Sequence, residues 1–170
     1  MLKTPLTLVF LLTFVLVVAA WGYQAATTPI PKRPPDPCVS TKVGPNYTAA
    51  NAYIRIYNGT TTSNLAKNTK LIFGNAGFHV VKIASADPSP VEKTFIVGVD
   101  EKSPEVVLVR SYFPPTTPFK ADPTKADHTV DITLGKDFKM AQLNDVKPVT
   151  AIPMKDGMAC IPVFKDVTDG

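Results

Sequence analysis

The sequence predicts an α+β domain of the split βαββαβ class, a four-stranded sheet with two helices on one face, held by one disulfide and preceded by an apolar N-terminal segment. Strand-period and helix-period stretches alternate between residues 52 and 134, proline clusters punctuate them, and Cys38 and Cys160 bracket the patterned region. A chain of 170 residues has room for one membrane segment, a linker and a single domain. The expected division is a signal anchor or transmembrane helix over 1–23, a proline-rich linker over 24–44, and a folded domain with a C-terminal extension over 45–170.

Residues 6–21 are a charge-free apolar run, preceded by Lys3 and followed by Gly22 and Tyr23, with Trp21 and Tyr23 at the place where interfacial aromatics sit. An uncleaved anchor is the expectation; Val18 and Ala20 are the small residues that cleavage would use instead. The stretch 24–37, QAATTPIPKRPPDP, is an extended spacer.

The folded part is expected from about Ala49. Residues 52–57 alternate Ile54 and Ile56 on one side with Tyr53, Arg55 and Tyr57 on the other, the pattern of a half-buried strand. Asn58-Gly59 breaks it. Ser63 is a candidate N-cap for a helix to about Ala76, with Leu65, Thr69, Ile72, Phe73 and Ala76 on its inner face and Gly77 as a left-handed stop. Residues 78–84 make the second strand, Asp87-Pro88-Ser89-Pro90 a turn, and residues 94–99 the third strand. Ser103-Pro104-Glu105 combines an N-cap, a proline at the first helical position and an acid in the first turn, so a helix starts there and runs to Phe113. Pro114-Pro115 stops it and opens a long surface connection. In 128–134, Val130, Ile132 and Leu134 face the core in the fourth strand, and Gly135-Lys136-Asp137-Phe138 turns out of the sheet. The last thirty or so residues are proline-interrupted and weakly patterned.

A Cys38–Cys160 disulfide is the economical reading of two cysteines at the two ends of a domain behind a signal sequence; two separate buried thiols are the alternative. Closing so long a loop is worth about 4–5 kcal/mol in the loop-closure picture, and the bond persists only in an oxidising space. Zinc sites use closely spaced ligand pairs, which Cys38, Cys160, His79 and His128 do not form along the chain, so no metal is expected.

The net charge is +4, and the arginines are only Arg33, Arg55 and Arg110 among singly scattered lysines. Nucleic-acid binding wants a basic stripe, and phosphoryl chemistry wants converging arginines, acids and a metal. Neither is present. Nucleophile elbows, HExxH pairs and glycine-rich phosphate loops are also missing, so no catalytic residue, no cofactor and no enzymatic activity are expected. Asn46-Tyr47-Thr48 and Asn58-Gly59-Thr60 fit the glycosylation pattern of a eukaryotic secreted chain, but Asn58-Gly59 is better explained as a turn. His79 and His128 border strands and read as surface or hydrogen-bond-satisfied residues rather than switches. The candidate binding patch is Tyr53, Arg55 and Tyr57, an aromatic and cationic set suited to sugar or peptide, unless the C-terminal segment packs over it.

The opening strand with its Asn-Gly-Thr turn (52–60), Leu65-Ala66, Gly77-Phe78-His79-Val80 and Leu134-Gly135-Lys136-Asp137-Phe138 together resemble the LytR C-terminal domain family over about residues 52–138. The layout of anchor, proline linker and lone domain between two cysteines is similar to that of actinobacterial envelope-integrity proteins. The resemblance implies a non-catalytic domain on the outer side of the cytoplasmic membrane, binding a wall polymer or a membrane-protein partner. It carries no LytR-CpsA-Psr catalytic domain. The alternative it implies is an accessory of cell-wall glycopolymer ligation acting on lipid-linked substrate.

Overall fold

Residues 3–27, 38–143 and 147–164 are described in the computed structural model, with side chains from residue 7 to 23 in the first stretch. The chain divides into two compact units, Met1–Pro34 and Pro35–Gly170. Residues 28–37 of the expected linker lie outside the described residues.

The first unit contains one helix, α1 (Lys3–Thr27). Its described side chains, residues 7–23, are all exposed, with Phe10 at 72% and Trp21 at 74%. The Thr13 hydroxyl donates back to the carbonyls of Val9 at 3.0 Å and Phe10 at 2.9 Å, which satisfies the polar group inside the helix itself. Among the described residues no helix is long and apolar enough to cross a membrane.

The second unit runs β1 (Cys38–Lys42), β2 (Asn46–Thr48), β3 (Tyr53–Asn58), α2 (Leu65–Asn75), β4 (His79–Ser85), β5 (Phe95–Gly98), α3 (Pro104–Arg110), β6 (Phe119–Ala121), β7 (Val130–Leu134), β8 (Ala151–Pro153) and β9 (Met158–Pro162). The main sheet has five strands in the order β4-β3-β7-β5-β6. β3 is parallel to both β4 and β7, while β5 is antiparallel to β7 and parallel to β6. Two antiparallel ladders, β1–β9 and β2–β8, join the chain ends.

The mixed α+β class holds, but the four-stranded split arrangement does not. β4 pairs directly with β3, so the first β–α–β unit has no strand inserted in it. The fifth strand, β6, is three residues long inside the proline-rich connection, too short to show an alternation. β1 starts at Cys38, inside the stretch read as linker, because its pairing partner lies at the far end of the chain and leaves no local pattern.

The core forms on one face of the sheet. Ile54, Ile56, Ile96, Val130, Ile132 and Leu134 are fully buried and share one cluster with Phe73 of α2 and Val106 and Val109 of α3. Each such side chain contributes about 1.5–3 kcal/mol by leaving water. Phe73 meets Phe78 edge-on at 5.3 Å and stacks with Phe113 at 6.0 Å, tying the end of α2 to the turn after α3. α2 begins at Leu65, and the residue before it, Asn64, takes the left-handed φ of 61° without a side-chain cap bond. Gly77 ends α2 at φ 95°, a conformation that costs glycine nothing. α3 has Pro104 in its first turn as expected but stops at Arg110. It lies so close to β5 that a Cβ on Gly98 would meet Val106 Cγ2 at 2.4 Å.

Candidate functional site

With the apolar side of β3 taken by the core, Tyr53, Arg55 and Tyr57 point together to the other face of the sheet, all half-buried. Strand register sets their neighbours: His79 and Lys82 on β4 stand beside Tyr53 and Arg55, and Asp131 and Thr133 on β7 stand beside Arg55 and Tyr57.

Tyr53 stacks on His79 with ring centroids 4.7 Å apart, and Phe164, beyond β9, tilts onto it at 5.4 Å. The C-terminal segment therefore covers this end of the patch in part. His79 Nε2 donates to the Ala50 carbonyl over 2.9 Å, which fixes the stacked ring. At the other end, the Lys82 ammonium sits 5.8 Å from the Tyr57 ring centroid. Burial, and then the Asp131 carboxylate, push the Tyr57 phenol above its ordinary value, so it stays a neutral hydrogen-bonding group.

Arg55 has a different role from the tyrosines. Its guanidinium donates to Asp127 and lies 3.7 Å from Asp131, whose other oxygen accepts from Lys125 at 2.8 Å. Asp127 and Lys125 are only 2% and 7% exposed, and Asp127 also accepts the Thr129 hydroxyl at 2.9 Å. Two cations and two carboxylates thus close on one another. Arg55 is a strut beneath the patch, and Tyr53, Tyr57, His79 and Lys82 stand on this face outside the ion cluster. Asp131 was visible on the polar side of a strand, whereas Asp127 and Lys125 precede that strand, where no periodicity reports on orientation.

A second cluster surrounds the disulfide. Cys38 and Cys160 are bonded with Cα atoms 5.2 Å apart, and the Cys38 amide donates to the Ala126 carbonyl at 3.3 Å. That contact brings in the loop carrying His128, a residue at φ 51°. A ring nitrogen of His128 and both sulfurs lie within 4.8 Å of one another. His128 Nδ1 is 2.8 Å from Oε1 of Glu105, a residue only 3% exposed in the first turn of α3. The hydrogen bond to Glu105 raises the His128 pKa against the opposing effect of burial. His128 is therefore a partly exposed, hydrogen-bonded histidine, the satisfied one of the two readings its position beside a strand allowed. No spacing along the chain could announce this grouping.

A third feature is a cleft of about 250 Å³ lined by Lys93, Phe113, Pro114, Asp137 and Phe138, among others. Asp137 there is engaged by the Thr94 amide at 2.7 Å and hydroxyl at 2.8 Å, closing the turn after β7.

Comparison with known proteins follows the same stretch of chain. No curated protein matches the sequence. The crystal structure of the soluble domain of a conserved hypothetical secreted protein from Mycobacterium marinum is similar at a TM-score of 0.45 and 18% identity, over 69% of this chain and 81% of that one. The family described as LytR cell envelope-related transcriptional attenuator matches residues 51–138, from two residues before β3 to the turn after β7. That is more than half of the sequence, and the chain belongs to this family.

Proposed function

We propose that this protein is a non-catalytic extracytoplasmic domain that contributes to cell-envelope integrity by binding a wall polymer through the β3–β4 side of its polar sheet face. The observation that carries the reading is the strip of Tyr53, Tyr57, His79 and Lys82 above an ion cluster that is already neutralised from within. Aromatic faces beside a cation and hydrogen-bonding edges are the groups that hold sugars and their anionic substituents, and they act without a nucleophile or a metal.

Two features support the location. The Cys38–Cys160 bond belongs to an oxidising compartment. α1 exposes apolar side chains along its whole described length, a surface that calls for an apolar medium and suits attachment at the cytoplasmic membrane. A membrane-protein partner is the other occupant for the same strip.

Cosedimentation of the chain with purified wall polymer tests the reading. Tyr53→Ala and Lys82→Glu should each weaken retention about 5- to 30-fold, the loss of one stacking or ionic contact worth about 1–2 kcal/mol. Retention unchanged in both variants rules the strip out, and retention only by membrane-protein fractions moves the reading to that partner.

A further inference from the structure

The cleft at the end of the main sheet where β7 runs out and β5 and β6 begin draws on neither the sheet-face strip nor the disulfide. We propose that it is a separate binding site, one that seats a single uncharged sugar ring through the ring's hydroxyls.

Three stretches of chain build it. Lys93 and Thr94 lead into β5, residues 113–118 lead from α3 to β6, and Asp137, Phe138 and Gln142 follow β7. The first and third are tied together before any ligand arrives. The Gly135 amide donates to Thr94 Oγ1 at 3.0 Å, Thr94 donates its own amide and hydroxyl to Asp137 Oδ1, and the Lys136 amide donates to the Val91 carbonyl at 2.9 Å. A Cβ on Gly135 would sit 2.3 Å from the Lys93 carbonyl carbon, so these two walls meet backbone to backbone. Pro114, Pro115 and Pro118 stiffen the facing wall, where the Thr117 amide donates to the Pro114 carbonyl at 2.9 Å. A cleft fixed on both sides loses little freedom when a ligand enters.

The lining sets the ligand class. Asp137 Oδ1 is taken by Thr94, while its Oδ2 has no hydrogen bond among the described residues and is an open acceptor. The Lys93 ammonium and the hydroxyls of Thr116 and Thr117 have no partner among the described residues either. Gln142 Oε1 accepts from the Lys139 amide at 3.4 Å, which leaves the side-chain NH₂ to donate. These groups surround an apolar floor of Phe113 and Phe138, whose ring centroids are 6.3 Å apart. Sugar hydroxyls both donate and accept, and the C–H face of the ring suits an aromatic floor, so one ligand class satisfies both parts of the lining. Lys93 and Asp137 balance in charge, which favours an uncharged ring over a phosphate. The volume of about 250 Å³ falls just below the range of about 300–1,000 Å³ that holds drug-sized ligands, room for one ring rather than an oligomer. None of these residues belongs to the strip of Tyr53, Tyr57, His79 and Lys82, so polymer binding there and sugar binding here stand or fall separately.

The test is a titration of the isotope-labelled full chain, followed by its backbone amide resonances and kept in a polyoxyethylene detergent that carries no sugar. The probes are glucose, galactose, mannose and N-acetylglucosamine, with glycine as a zwitterion of similar polarity. At least one sugar should shift the Thr94, Thr117, Phe138 and Gln142 amides saturably, with a dissociation constant on the order of 1–10 mM, and leave Tyr53 and His79 unmoved. Thr117→Val and Gln142→Ala should each weaken that binding about 3- to 10-fold, the loss of one hydrogen bond. Neither side chain takes part in the Thr94–Asp137 bonds, so both variants keep the turn after β7. The proposal is overturned if no sugar gives a saturable shift, if the shifts map to the strip, if glycine moves the same amides at lower concentration, or if both variants bind as the wild type does.

Discussion

Arg55 shows how one residue can hold a surface together without taking part in it. Its guanidinium neutralises Asp127, which is almost fully buried, and faces Asp131, whose Oδ1 has no hydrogen bond among the described residues. Arg55→Ala leaves the buried Asp127 carboxylate without its cation, while Asp131 keeps Lys125, and breaking a pair this buried costs about 3 kcal/mol. An unfolding free energy from urea denaturation lower by that amount is expected; a change near zero means that solvent already screens the cluster. His128 supplies a pH dependence. Its hydrogen bond to Glu105 raises the folded-state pKa above 6.5, so the stabilisation is complete below 6.5 and is lost as the pH rises through the raised folded value. Thermal melting should therefore fall across that interval in the wild type, and the step should vanish in His128→Asn.

At the scale of elements, β3 carries the design. One side supplies Ile54 and Ile56 to the core and the other supplies Tyr53, Arg55 and Tyr57 to the polar face, so the core packing of β3 fixes where the strip points. α3 sets the opposite end of the sheet. It lies against β5 at Gly98, where a methyl group would overlap Val106. Gly98→Ala should cost about 1–3 kcal/mol by overpacking, read as a lower melting temperature, and a smaller residue at Val106 should recover part of it. The edge strand β4 carries a register irregularity opposite Ile54/Arg55 and a single lysine, Lys82, devices that discourage another strand from pairing there. That leaves its side chains, rather than its backbone, as the surface available to a ligand.

For the molecule as a whole, the disulfide is the dominant single constraint. Its two cysteines are 122 residues apart, which corresponds to about 5 kcal/mol of chain entropy in the loop-closure model. The double variant Cys38→Ser, Cys160→Ser should lose most of that in chemical denaturation; an unchanged midpoint means that the β1–β9 ladder alone closes the domain. Charge is also unevenly distributed. Residues 39–86 contain no Asp or Glu but hold Lys42, Arg55, Lys67, Lys70 and Lys82, and among the described residues Arg55 is the one of these in an ion pair. The flank made by α2 and β4 is electropositive, so binding of an anionic wall polymer should weaken as salt is raised. A flat salt response assigns the affinity to the tyrosines.

The sequence by itself determined the elements whose signals are local. The alternation in 52–57 and 128–134, the Gly77 stop, the Pro104 start and the grouping of Tyr53, Arg55 and Tyr57 on one face all follow from period and steric rules acting over a few residues. Cys38 with Cys160 was legible because only two cysteines exist to pair. Tertiary structure alone decided the strand order, the short strands β1, β2, β6, β8 and β9, the capture of Arg55 by Asp127, and the meeting of His128 with Glu105 beside the disulfide. Each of these depends on partners far apart in the chain, and three- to five-residue segments stabilised from a distance have no periodicity of their own to reveal them.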